Sequence, residues 1–476
     1  MYRALYIIIL TSLIHVSGVC QEPLPAVIDK DTILTAEGSP YYIQQNLSIN
    51  DSITLKINQG TTIILAEGAS IYNNGRLIIE GDEEEKVLFT SDSPETRWNY
   101  ITNQGTLIAS YLVLRRAIRF VSSYGDTLIV ENCDVAETYR GDGDDCIGVH
   151  DANKVIIRNT SLTGNPGAEK TDAIDLDGIS DDTISGNTIT GYSDDGIDIG
   201  TNSTNIVVAD NEISYCDMGI SIGENSTALV YKNLLIYSNG GIQSHTGSVV
   251  DARLNTLYGN NHGIRAFHDT GEESSGGTIT VSSSIISNSV LGDMIRVANS
   301  IVNAEYTLTD LILLPGTGNI TGFPHFVDID NGNFHLAQAS DAIDAGDPDL
   351  DKDGSDYLVD VDDRDPDGSR LDMGSYPYFH SLDVRDVLRE NYIHIYPNPV
   401  GEVICLEHNA KRGAKIRVDI FTLSGTQVRS TMFQAGGDRG TFIWQHQIVN
   451  PGAYIVRTMI QHPGHWRERS RLVIFD

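Results

Sequence analysis

Six segments in the middle of this chain align on a single isoleucine: Ile147, Ile174, Ile197, Ile220, Ile242 and Ile264. The intervals are 27, 23, 23, 22 and 22 residues. A second column runs in phase through Asn132, Asn159, Asn187, Asn211, Asn233 and Asn255. Between the columns lie short apolar runs such as Val155-Ile-Ile157 and Ile206-Val-Val208, bounded by Gly, Asn, Asp and Ser. A period of this length with two or three short strands per repeat is the signature of a parallel β-solenoid. One coil cannot bury its apolar face alone, so coils stack at ~4.8 Å and bring like residues into columns. The isoleucines are therefore expected as an interior ladder and the asparagines as an amide ladder at a turn. Weaker repeats, from Ser52–Ile57 to Tyr306–Leu308, extend the pattern over residues 45–335, or about a dozen coils. No stretch has sustained helical periodicity. The composition agrees, with 45 Gly against 14 Pro and abundant turn formers.

The rest of the chain is divided by charge. The net charge is −33, yet residues 381–476 hold 12 Lys and Arg against 9 Asp and Glu. That shift puts a boundary near 380–390 and assigns 336–388 to an Asp-rich closing segment and linker. So acidic a chain repels nucleic acid and anionic membranes, which are bound through Lys and Arg. It suits divalent cations or neutral glycans. At the start, Arg3, the apolar run Ala4–Val16 and the small residues Ser17-Gly-Val19 read as a signal peptide over 1–20, with residues 21–44 as a lead-in or cap. No second apolar run is long enough to span a bilayer, so the mature chain is expected to lack a transmembrane segment. Cys133, Cys146, Cys216 and Cys405 match no zinc-ligand spacing. Cys133–Cys146 is the one sequence-local pair for a bridge.

Several segments resemble known families. Gly60–Ser70, Thr171–Gly178, Ser193–Gly200 and Gly219–Gly223 resemble secreted right-handed parallel β-helix repeat proteins, including those beside CotH-type and lamin-tail modules. Phe323–Asp328, Asn333–Leu336, Asp341–Gly346 and Asp372–Gly374 resemble the closing segment of such helices. Ile395-Tyr-Pro-Asn-Pro399, Val418–Gly425, Pro451–Arg457 and Arg471–Ile474 are similar to the C-terminal sorting domain of type IX secretion substrates. Read from its alternating strands alone, that stretch is a small β-sandwich, Ig-like in kind. The expected fold is therefore all-β: a right-handed parallel β-helix, then a sandwich over 389–476. The second resemblance implies export across the outer membrane, to the medium or the cell surface, with the type IX machinery as partner.

Candidate site residues follow from the repeat. Asp175 and Asp198 come one position after the aligned isoleucine and His150 and Asp177 three after, while Asp144, Asp194 and Asp217 come three before it. Odd offsets in a strand point opposite to the buried isoleucine, so these groups are expected on one outer face. Asp145, Asp172 and Asp195 come two before and are placed at a turn. Carboxylates stacked this closely raise one another's pKa or take a cation between them. Asp144, Asp175, Asp177, Asp194, Asp198 and Asp217 are thus a candidate Ca2+ set, against the plainer reading of a solvated acidic face. A second set is Asp349-Leu-Asp351-Lys-Asp353-Gly354 with Asp360, spaced like a Ca2+ loop but with Asp where Glu is usual at the end.

The enzymatic alternative uses the same face. Asp194 and Asp195 are a carboxylate pair of the kind glycoside hydrolases need. Thr171-Asp172 followed by Asp194-Asp195 resembles the polygalacturonase pattern. The chain departs from it at Asp217-Met-Gly219, where that family has Gly-His-Gly, and has no Arg-Ile-Lys near Gly241–His245. A polysaccharide lyase would need a base and a cation, and His245 and Arg265 are the candidate bases, with His262 and His268 nearby. The leading expectation is a non-enzymatic extracellular protein that binds glycan or Ca2+ on its acidic face.

Overall fold

The computed structural model describes residues 23–138, 145–165, 170–268, 276–297, 299–361, 363–380, 393–396, 403–408, 414–422, 426–435, 440–445, 452–462 and 465–475. They fall into two compact units, one ending at Phe379 and the other beginning at His380.

The first unit is a parallel β-solenoid. Each coil gives one short strand to each of three parallel sheets of 12, 12 and 13 strands. The stretch read as a lead-in supplies the first strand of each sheet: Val27–Ile28, Thr32–Leu34 and Tyr41–Ile43. The expected isoleucine ladder is the register of the first sheet, running Ile147, Ile174, Ile197, Ile220, Ile242 and Ile264. All six have 0% exposure. The ladder continues upstream through Val121, Ile101, Ile71 and Leu47, and downstream to Met294. Each such side chain contributes about 1.5–3 kcal/mol by leaving water, so the column, with the buried columns of the other two sheets, holds the coils together.

The asparagine column needs a correction at its first two members. Asn187, Asn211, Asn233 and Asn255 are buried and stacked, each amide donating to the Oδ1 of the next where the chain continues. Asn132 and Asn159 are one residue out of phase. They hold the left-handed corner just before the ladder, at φ 54° and 50°. Gly186, Asp210 and Lys232 hold the same corner in later coils. The ladder position is filled instead by Cys133 and Thr160: the Cys133 N–H donates to Thr160 Oγ1, and the Thr160 N–H to Asn187 Oδ1. Asparagine tolerates the left-handed conformation and also stacks well, so residue type did not separate the two roles.

Cys133, Cys146 and Cys216 are buried free thiols, so the Cys133–Cys146 bridge does not form. Cys133 precedes a strand of the third sheet (Asp134–Ala136) and Cys146 one of the first (Ile147–His150). After the last coil, Phe326–Asp328 and Asn333–Leu336 form an antiparallel pair. Leu336 and Met373 then pack on Ile285 and Leu308 at the end of the solenoid.

The second unit has an antiparallel three-stranded and an antiparallel four-stranded sheet, in keeping with the expected sandwich. Leu406 of the first packs with Ile416, Val418, Ile420, Val456 and Ile460 of the second. Asp419 is fully buried there; burial pushes its carboxyl up, but hydrogen bonds from Ser430, Arg417 and Arg457 and the Arg417 charge together hold it below the ordinary range.

Candidate functional site

The acidic residues of the repeat meet on three consecutive strands of the first sheet, Ile147–His150, Ile174–Asp177 and Ile197–Gly200. Register places Asp175 beside Asp198, and Asp177 beside His150. Just before these strands, Asp145, Asp172 and Asp195 form a carboxylate ladder. Asp145 Oδ1 accepts the Asp172 N–H at 3.0 Å, Asp172 Oδ1 accepts the Asp195 N–H at 2.6 Å, and Asp195 Oδ1 accepts the Met218 N–H at 3.1 Å.

Three overlapping groups result: Asp172 with Asp194 and Asp195, Asp172 with Asp175 and Asp198, and Asp175 with Asp177 and His150. Within each group, one ligand atom per residue lies within 4.8 Å of the others. The column assigned to a turn is thus also the centre of the cluster, through Asp172. The turn role hid it, although its phase was plain in the sequence.

Burial and mutual repulsion shape the protonation of this corner. Burial first, then the charges of Asp195 and Asp145, pushes the Asp172 carboxyl up to about 10. Burial and Asp198 push Asp195 to about 8. Asp198 rises only to about 6, because burial is offset by a hydrogen bond from Ser221. Asp175 is raised by burial and by contact with the Asp145 carboxyl. Asp194 is also raised by burial, with Lys170 opposing at 3.9 Å. At neutral pH such a corner holds either protons or a cation. The carboxylate oxygens suit a hard cation such as Ca2+, while the His150 imidazole, in one of the three groups, is no ligand for it.

Two of the sequence candidates stand apart. Asp144 lies outside the described residues. Asp217 is described but joins none of the carboxylate groups. Its Oδ1 accepts from Asn239 Nδ2 at 2.9 Å, and Asn239 in turn accepts from Asn261. Asp217 is therefore the end of a surface amide ladder, with an amide donor to its charge.

Farther along the same face the chemistry changes sign. The column that begins His150, Asp177 and Gly200 is followed in later coils by Gly223, His245 and Phe267, each one residue past the last paired position of its strand. A Cβ on Gly223 would lie 2.4 Å from the His245 ring, so only glycine lets that ring rest on the strand. His245 stacks on Phe267 at 5.1 Å, and the Arg265 guanidinium lies 4.1 Å from the centre of the same ring. Gln243, beside Arg265, donates to Ser221 Oγ at 2.9 Å. His262 is held below its usual pKa by burial and by Arg265. The two candidate bases, His245 and Arg265, are thus brought together on one platform. Asp194 and Asp195 are brought together in the acidic corner. His268 lies just past the strand His262–Ala266.

Residues 116–257 and 145–306 match the family model of the right handed beta helix region, which gives the solenoid its expected hand. Residues 394–465 match the secretion system C-terminal sorting domain. That domain marks the chain as a type IX export substrate, bound for the medium or the cell surface. No curated protein matches the chain. Among solved structures, an alginate lyase from Paenibacillus sp. str. FPU-7 aligns at 16% identity and a TM-score of 0.30, covering 52% of this chain and 91% of that one. Among the described residues, no helix is long and apolar enough to cross a membrane.

Proposed function

We propose that this exported β-helix is a non-enzymatic extracellular protein whose acidic corner binds Ca2+, with residues 1–20 removed as a signal peptide. The observation that carries the reading is the meeting of Asp172, Asp175, Asp194, Asp195 and Asp198 in overlapping groups within 4.8 Å. Lys170, at 3.9 Å from Asp194 and mostly exposed, is the one described cation paired with any of them. A hard divalent ion supplies the missing positive charge and accepts several oxygen ligands at once. Bound there, it ties two consecutive coils together and leaves part of its shell open toward solvent, where a glycan hydroxyl or carboxylate can enter.

A second reading is favoured by one observation, the platform of Arg265, His245 and Phe267 on the same face. A cation at the corner and an arginine farther along would hold an acidic polysaccharide across the coils, with His245 or Arg265 as base for a lyase. Calorimetric titration of the full chain with Ca2+ tests the first reading. Binding weakened at least 10-fold in Asp198→Asn supports it, and no heat at millimolar Ca2+ overturns it. Unsaturated uronate released from an acidic polysaccharide, and lost in Arg265→Ala, would establish the second.

A further inference from the structure

We propose a second cation site, separate from the acidic corner, in which Asp349, Asp351 and Asp363 bind Ca2+ and clamp the closing segment to the last coils. The observation that points to a ligand is Asp363. Its side chain has 0% exposure. Its Oδ1 accepts the Leu350 N–H at 2.6 Å, but its Oδ2 has no hydrogen-bond partner among the described residues. A buried carboxylate oxygen without a donor is costly and calls for a partner. One oxygen each of Asp349, Asp351 and Asp363 lies within 4.8 Å of the others, and Asp353 and Asp360 form a second such group with Asp351. The donors are all oxygen, which selects a hard cation over zinc or copper.

The loop is shaped for this. Gly354 takes φ 90°, which turns the chain back so that Asp349 Oδ1 faces its N–H. Lys352, the one basic residue in the loop, is engaged elsewhere: it pairs with Asp347 at 2.5 Å and Glu305 at 3.3 Å. Lys352 thus pairs with residues outside the three-carboxylate group. The spacing of the motif pointed to Asp360 as the closing ligand. In the fold, Asp363 is the buried member beside Asp349 and Asp351, while Asp360 sits with Asp351 and Asp353.

The clamp follows from what surrounds the site. Leu350, whose N–H binds Asp363, is buried with Leu254 and Leu371, and its carbonyl accepts from Arg253 Nη1 at 3.0 Å. Arg253 belongs to a strand of the second sheet, Val249–Arg253. An ion that joins Asp363 to Asp349 and Asp351 therefore fixes both sides of Leu350 and presses that residue onto the coil.

The test uses the full chain stripped of metal with a chelator and titrated calorimetrically with CaCl2. Asp351→Asn and Asp363→Asn should each lose one Ca2+ equivalent that Asp198→Asn retains. Ca2+ should also slow proteolytic cleavage within residues 344–378 of the native chain and leave the rate unchanged in Asp351→Asn. Asp351 is exposed, so its variant folds even where Asp363→Asn does not, and it decides the matter alone in that case. If Asp351→Asn binds as many equivalents as the native chain, or if the native chain binds none at millimolar Ca2+, the site does not exist. A loss confined to Asp198→Asn would uphold the acidic corner and overturn the clamp.

Discussion

Two ladders of nearly identical shape run along the same coils and end in opposite electrostatic states. In the asparagine ladder, Oδ1 of Asn211 accepts both the backbone N–H and the side-chain amide of Asn187. Its own Nδ2 donates to the Ile184 carbonyl and to Asn233 Oδ1. The stack is closed, because each amide is donor and acceptor at once. In the aspartate ladder, Oδ1 of Asp145, Asp172 and Asp195 likewise accepts a backbone N–H, but from the following coil. When the carboxyl is ionised, its second oxygen has no hydrogen to give. Replacing one NH2 by O thus turns a self-satisfied column into one that needs protons or a cation. The first ladder is a device of stability, while the second leaves a candidate site.

The sharpest way to break this contrast is to move a charge into the neutral column. Asn211→Asp removes the donor to Ile184 and Asn233 and buries a carboxylate at a position of 0% exposure. We expect a loss of about 3–5 kcal/mol at pH 7, read from urea unfolding. A loss under about 1 kcal/mol would mean that the amide stack contributes little.

A smaller effect is expected from the reverse exchange. Carboxyls raised to about 6, 8 and 10 at Asp198, Asp195 and Asp172 stay protonated in the fold where the unfolded chain has released its protons. The folded state then binds more protons, so stability falls as pH rises from the ordinary carboxylate range near 4 through those values. Metal-free protein should have a higher urea midpoint at pH 5 than at pH 8, with Ca2+ restoring it at pH 8. Asp172→Asn should flatten the slope and remove part of the Ca2+ effect. A midpoint that rises between pH 5 and pH 8 without metal would contradict the protonation described here.

The gentlest test extends the neutral ladder by one rung. Thr160 occupies the ladder position before Asn187 and accepts from Cys133. Thr160→Asn adds a donor directed at Asn187 Oδ1 and should stabilise by no more than about 1 kcal/mol in the same assay. Destabilisation would show that the corner at Cys133 is too tight for an amide.

Much of the fold was legible in the chain because solenoid stacking repeats one local rule. Ile147 to Ile264 share one phase, and side chains two apart on a strand share a face, so the interior column and the outer carboxylates could be read together. The same reasoning failed where one residue type serves two neighbouring positions. Asn132 and Asn159 are corner residues, and the interval of 28 between Asn159 and Asn187 was the mark of a slip by one. Asp217 fell to a surface amide ladder, because its partner Asn239 becomes a neighbour only once the coils are in register.

What the sequence determined by itself is the period, the inward and outward faces, and the two-part plan of an exported solenoid with a sorting domain. These depend on local alternation and on motifs that are contiguous in the chain. What only the tertiary structure decided is which polar atoms meet and in what charge state. Asp172 became the centre of the acidic corner because carboxylates of neighbouring coils converge on it, and Asp363 became a candidate ligand because its second oxygen is buried without a donor among the described residues. Proximity across coils and loss of water are properties of the packed whole, and no single segment encodes them.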